Sequence, residues 1–442
     1  MININNLIIL LAIVSLIFLY CKSNFEWLLI LSGVYYSCLP IIQLADNKIN
    51  SAYIITLFFI IIFIFDIFKQ KKILLNRIQK AYLSTNIAIL VVYFIAWVTN
   101  GNLYLSIIIP FIGIGQAFIA VLGMSYQYQL HNKNIRLVNI LLKTILITSV
   151  IHIIFSFIEL FNFELGKYLI MNLYSSESRM TVESLLYGFT RAFGASYTPV
   201  DVGVYILVSI SFIIGYFVPK KNNEWNKYAL AYLSSFVGLL LFSKVVIIGI
   251  PIIMMLTFLF MLIFYKSIIK ELFRTYFKYV IIISISYITV ISFANNIGLS
   301  SMVNYYFVEN SNPIVALSSR YNNILTETSS DNVLPDGILV SSFQVFMEHP
   351  IIGVGPMAVR NEFLGDSEII GVLHNGGIIA FLIYAVFYSG LFIYLIINKD
   401  LTRILILIAI GMSCVAASTF TISGVFPFLA YCLIDSKKEE IV

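Results

Sequence analysis

Long uninterrupted apolar runs, separated by short polar connections, dominate this chain. The runs do not alternate apolar with polar positions, as half-buried strands would. They are continuous over lengths near the ~20 residues that carry a helix across a hydrocarbon core. Such a core offers the backbone no hydrogen-bond partners, so spanning elements must be helices or a closed barrel. The pattern predicts helices near 5–20, 26–44, 52–68, 82–99, 103–124, 137–161, 200–218, 228–242, 244–265, 279–295, 372–397, 401–418 and 420–434. Gly424 and Pro427 interrupt the last run, so the final pair reads as two spans or as one broken helix. The expected fold is an all-α polytopic membrane protein with about twelve or thirteen transmembrane helices.

Two connections are long, near 162–199 and 296–371. Loops beyond about 12–15 residues are usually functional or disordered. Neither is low in complexity. The second holds Tyr305, Tyr306 and Phe307, then Phe343, Phe346 and Met347 at near-helical spacing. It reads as a large external loop with short amphipathic helices on the membrane face. There is no internal repeat and no separate soluble domain, so residues 1–442 read as one membrane domain with an external cap.

Composition sharpens this picture. Hydrophobic residues make up 60% and charged residues 11% of the 442, against roughly 25% charged in soluble domains. That excludes a soluble enzyme, a disordered chain and a coiled coil. Cys21, Cys38, Cys414 and Cys432 lie in or beside apolar runs, without the spacing of a zinc or redox site. The first run, Leu7 to Tyr20, has no basic residues before it and no small-residue cleavage site after it, so it reads as a retained span. The net charge of +5 does not point to nucleic acid, because the basic residues sit in short loops.

Those basic residues set an orientation. Alternate connections hold Lys22; Lys69, Lys71, Lys72, Arg77 and Lys80; Lys133 and Arg136; Lys220, Lys221 and Lys227; Lys266, Lys270, Arg274 and Lys278; Lys399 and Arg403; Lys437 and Lys438. These are 19 of the 27 basic residues, seven lie on the other side, and Lys143 falls inside a span. The 19-to-7 split places the first set in the cytoplasm and both long loops outside.

The polar residues of the outer side carry the candidate chemistry. Arg191 lies in R-A-F-G-A-S-Y-T-P-V-D, just before a span. A helix N-terminus beside a guanidinium can hold an anion; alternatively Arg191 snorkels to headgroups. Ser243 and Lys244 form a tight turn between spans. A lysine in so apolar a stretch needs a partner or water, unless it merely ends two short helices. Arg320 sits in a loop with eight acidic residues, among them Glu362 and Glu368, where a salt bridge is the alternative to substrate binding. M-E-H-P-I-I-G-V-G-P at 347–356 reads as a rigid turn, followed by Arg360.

His374 opens a span in L-H-N-G-G-I-I-A, at the expected water–lipid boundary. Histidine exchanges protons near neutral pH. Asn375 could orient it or a substrate hydroxyl, and Gly376 and Gly377 permit close approach of a ligand or another backbone. His152 lies mid-span, where it could hydrogen-bond a neighbouring helix. No phosphate-binding glycine loop, H-E-x-x-H or G-x-S-x-G is present, and no row of ionisable residues crosses the spans as in many proton-coupled transporters.

In order, R-A-F-G…P before a span, S-K between spans, an arginine in a large external loop, H-P-I-I-G-V-G near its end and H-N-G-G on a span resemble the O-antigen polymerase/O-antigen ligase family of bacterial envelope glycosyltransferases. The resemblance covers roughly 185–397. It implies a donor glycan carried on undecaprenyl diphosphate and transferred, at the outer face of the inner (cytoplasmic) membrane, to a sugar hydroxyl. No nucleotide sugar, metal or other cofactor is implied. Arg191 and Arg320 would hold the diphosphate with Lys244, His374 would serve the acceptor hydroxyl, and Arg360 and Asn375 would be further substrate-binding positions. The family often has Ser-Arg where this chain has Ser243-Lys244, and lysine lacks the bidentate fork.

A repeat-unit polymerase for O-antigen or capsule is the leading expectation, with lipid-linked oligosaccharide and membrane lipid as partners and a chain-length regulator as a companion protein. The alternatives are an O-antigen ligase acting on lipid A–core and, in a different class, a transporter or flippase for lipid-linked oligosaccharide.

Overall fold

A computed structural model of the chain describes residues 4–40, 42–44, 47–49, 51–70, 75–100, 108–131, 137–174, 194–196, 199–220, 225–241, 243–296, 343, 345–356, 367–415 and 422–435. The helices are α1 (Ile4–Cys21), α2 (Phe25–Cys38), α3 (Ala52–Gln70), α4 (Arg77–Thr99), α5 (Ile108–His131), α6 (Leu137–Phe161) and α7 (Phe163–Leu169). They continue as α8 (Pro199–Phe217), α9 (Trp225–Leu240), α10 (Lys244–Phe264), α11 (Ile269–Asn296), α12 (Glu368–Ile397), α13 (Leu401–Ser413) and α14 (Phe426–Cys432). Among the described residues, seven helices are long and apolar enough to cross a membrane. The protein is an all-α polytopic membrane protein.

Several predicted spans are shorter than their apolar runs. The run 26–44 forms a helix only to Cys38. Leu39 is extended, at ψ 139°, as a residue before proline prefers to be. The chain then makes a small antiparallel hairpin, β1 (Ile42–Leu44) with β2 (Asn47–Ile49). The final pair is two short helices, with α13 of 13 residues and α14 of 7. Pro427 lies in the first turn of α14, where its missing N–H costs nothing. Neither helix reaches the length of a full span.

Contacts sort the helix termini into two groups. Phe25 stacks on His131, Asn76 bonds Gln129 and the Leu433 carbonyl, and Tyr265 bonds the Lys399 carbonyl. These termini share the end that the basic residues mark. There Lys22, Lys220 and Lys227 lie over the rings of Phe18, Tyr216 and Phe217, as cations anchoring at an interface do. At the opposite end Asn5 bonds the Asn172 carbonyl, Asn100 bonds the Gly353 carbonyl and Ser423 bonds the Tyr36 carbonyl.

Helix α8 is the central staff: 83% of its spanning window is buried within the protein, against 22% for α1. Between lipid-embedded helices, close packing rather than exclusion of water drives association. Small residues supply it here. Gly238 of α9 and Gly249 of α10 receive Ile206 and Leu207 of α8 so tightly that a Cβ would lie about 2.7 Å and 2.6 Å from their methyls. The buried hydroxyls of Ser209 and Thr257 bond carbonyls one turn back within their own helices, so neither of these two is an unpaired donor.

Arg403 departs from the sequence expectation. It was expected in a cytoplasmic loop, yet it is fully buried. Its guanidinium donates to the Ile434 carbonyl at 3.0 Å, lies 3.5 Å from Asp400 and stacks over Tyr431. It ties the start of α13 to the end of α14.

The orientation is checked by cysteine labelling in intact spheroplasts. Cysteines placed at 175 and 330 should label from outside, and one at 222 should not. Labelling at 222 but not at 330 would reverse the assignment.

Candidate functional site

The sequence places H-P-I-I-G-V-G and H-N-G-G about 20 residues apart, and the fold sews them into one unit. Helix α12 is broken at Gly377, whose φ of 60° and ψ of −161° lie in a region open essentially to glycine alone. Glu368, at the start of α12, lies within electrostatic reach of Tyr93, Tyr384 and Tyr388. A straight helix would put Tyr384 about 24 Å from Glu368. The break therefore folds 368–376 back beside the rest of α12. Val372 joins Ala380, Tyr384 and the α4 residues Ile89 and Tyr93 in one apolar cluster.

Such a break strands backbone groups that lipid cannot satisfy. The 350–355 loop takes them up in a reciprocal pattern. Val354 N–H donates to the His374 carbonyl and Gly355 N–H to the Asn375 carbonyl, both at 2.9 Å. In return Ile378 N–H donates to the Pro350 carbonyl at 2.9 Å and Ile379 N–H to the Ile351 carbonyl at 3.2 Å. Gly353 sits at φ +65°, where a Cβ would come within 2.7 Å of the Gly376 and Gly377 nitrogens. The loop is closed on itself by Gly353 N–H bonding the His349 carbonyl at 2.9 Å. Asn100 and Trp97, at the end of α4, pack against Gly353 and Gly355.

His374 stands at the top of this fold-back. It is only 1% exposed and lies six residues into α12. Its Nδ1 is 3.0 Å from Asn375 Oδ1. An amide oxygen accepts, so the ring carries its proton on Nδ1 and Nε2 is its basic nitrogen. Asn375 thus orients the imidazole, one of the two roles read from the sequence. His349 ends the helical turn 345–348 and is exposed, consistent with a turn residue. Phe343 and Phe346 of the same segment pack at 5.6 Å between ring centroids.

A second group gathers at the start of α8. Ser243 is buried against Gly203, the fifth residue of α8, so the S-K turn lies beside that helix's N-terminal end. The G-A-S part of R-A-F-G-A-S is held by α6 through His152 and Glu159. His152 thus meets this loop through Nδ1 and the neighbouring helix α2 through Nε2, which faces Cys38 Sγ at 3.9 Å. The two groups share one end of the bundle. Gly215 packs on Thr402, so α13 runs antiparallel to α8, and Cys414, just after α13, accepts a hydrogen bond from Ser367 at the head of α12.

Arg191, Arg320 and Arg360 lie outside the described residues, as does the side chain of Lys244. Sequence reasoning missed the contribution of α4, because Tyr93, Trp97 and Asn100 look like ordinary membrane-interface residues. Glu368, one of the acidic residues of the long loop in the sequence, is half-buried at the start of α12 within electrostatic reach of three tyrosines. Among the described residues, no three of His, Cys, Asp and Glu come together as a metal site.

Compared with known proteins, the chain matches no family model, no curated protein and no solved structure.

Proposed function

We propose that the chain is a bacterial surface-polysaccharide repeat-unit polymerase, acting at the outer face of the inner membrane on glycans linked to undecaprenyl diphosphate. The observation that carries this reading is the reciprocal lock between 350–355 and the broken helix at His374–Gly377. A histidine with one defined basic nitrogen is held at a backbone break that two glycines make possible. Irregular backbone at such a depth is tolerated only where protein buries it or a cavity needs it.

The chemistry follows from the residues. The acceptor sugar hydroxyl attacks the anomeric carbon of the donor while Nε2 of His374 takes its proton. The bond from that carbon to the diphosphate oxygen breaks, and undecaprenyl diphosphate leaves with the electron pair. Arg191 and Arg320 stabilise the charge that develops on the leaving group, with the Lys244 ammonium nearby. Direct attack inverts the anomeric centre. A chain-length regulator is the protein partner consistent with this activity.

A broken helix is also a feature of carriers, so a transporter for lipid-linked oligosaccharide is the second reading. The arginines separate the two. Arg191→Ala and Arg320→Ala should each abolish long-chain polysaccharide while the protein still accumulates in the membrane. Lysine at either position should restore only part, since one ammonium cannot reproduce a forked contact. Full polymer length with both arginines replaced would overturn the diphosphate assignment.

A further inference from the structure

His152 and Glu159 are two ionisable side chains buried in a membrane helix, at 1% and 4% exposure. Such residues are costly in a span and need partners. They lie seven residues, or two turns, apart on one face of α6. Both turn to consecutive backbone N–H groups of the segment that ends R-A-F-G-A-S. Ala195 N–H donates to His152 Nδ1 at 3.1 Å, and Gly194 N–H donates to Glu159 Oε2 at 3.2 Å. Gly194 has φ +63°, and a Cβ there would stand 3.0 Å from His152 Nδ1. The segment is thus fixed in position and in rotation.

The same geometry excludes a rival role. Because Nδ1 accepts from Ala195, the ring proton of neutral His152 is on Nε2, which faces Cys38 Sγ at 3.9 Å. A nitrogen that already carries a proton cannot take one from the thiol, so this pair is not a nucleophile with its base. Around it, Tyr174 donates to the Cys38 carbonyl at 3.1 Å and the Tyr205 ring lies 6.2 Å from the imidazole. The surroundings hold His152 still and leave its Nδ1 for the loop.

Arg191 precedes Gly194 by three residues, a chain length of at most about 11 Å. We propose that His152 and Glu159 are positioning residues: they clamp 194–196 to α6 and thereby set where Arg191 meets the donor diphosphate. This rests on the reading of Arg191 given above.

The test uses the purified full-length protein. His152→Leu removes the acceptor, whereas His152→Asn places an amide oxygen where Nδ1 stands. Amide hydrogen exchange at 194–196 should quicken by about tenfold or more in the Leu variant and stay near wild type in the Asn variant, as loss and retention of one hydrogen bond require. Binding of undecaprenyl diphosphate should weaken about tenfold in the Leu variant and recover in the Asn variant. Should His152→Leu not accumulate, Glu159→Ala against Glu159→Gln makes the same comparison. Unchanged exchange in the variant without the acceptor overturns the clamp. Faster exchange with unchanged binding overturns the positioning role. If Arg191→Ala itself binds undecaprenyl diphosphate like the wild type, the donor-site reading fails and takes the positioning role with it, while the clamp still stands or falls on exchange.

Discussion

Replacing His374 by alanine should cut polymerisation turnover by about 10²–10⁴-fold, the range typical of a lost general base. Binding of the lipid diphosphate should survive, because the proposed function assigns it to the arginines. His374→Gln keeps a hydrogen-bonding group of similar reach yet cannot take the proton, so it should be nearly as inactive as alanine. Asn375 holds the imidazole with its proton on Nδ1, so Asn375→Leu should lower turnover while leaving donor affinity unchanged. The assay is steady-state turnover of a lipid-linked repeat unit by purified enzyme. If the Gln variant polymerises at close to the wild-type rate, His374 only positions the acceptor.

Gly377→Ala should be the most damaging single change to the fold. Its φ and ψ are open essentially to glycine, at a cost of about 1–3 kcal/mol for another residue. An added Cβ would also collide with the Ile351 carbonyl and stand 2.6 Å from the Ile352 nitrogen. Both are backbone atoms of the 350–355 loop, and the Ile351 carbonyl is held by the Ile379 N–H, so the loop cannot yield cheaply. Together these should cost about 3 kcal/mol or more, seen as a markedly lowered melting temperature in detergent. Gly371→Ala is the control, since nothing lies within 4 Å of its added Cβ. A Gly377→Ala protein that melts with the control would show that the break is not required.

The spans were most legible where an apolar run ended at charges or at strong turn residues. The run 137–161 coincides with α6, and 52–68 falls within α3. Legibility failed where hydrophobicity continued through a change of backbone. Residues 41–44 are mostly apolar, so their run hid the hairpin that follows Pro40. Gly376–Gly377 follow His374 and Asn375 and run straight into a long apolar stretch, so the glycines signalled close approach without revealing that α12 folds back. Periodicity reports which face is apolar, not whether the axis is continuous. Arg403 was misplaced for a related reason: a basic residue near a helix end carries the same sequence signal whether it meets water or a buried carbonyl. His374 and Asn375 were legible as candidates because polar residues are expensive beside spans. Their partners in 350–355 and α4 were not, because those contacts are made by backbone and by common interface aromatics.

The most direct measurement is polymerisation by the purified chain in liposomes, supplied only with its undecaprenyl diphosphate-linked repeat unit. The account predicts a ladder of lengthening lipid-linked glycans, with one undecaprenyl diphosphate released per linkage and no need for a nucleotide sugar. Transfer that occurs only when lipid A–core is added, or movement of the lipid-linked unit across the bilayer with no new glycosidic bond, would contradict it.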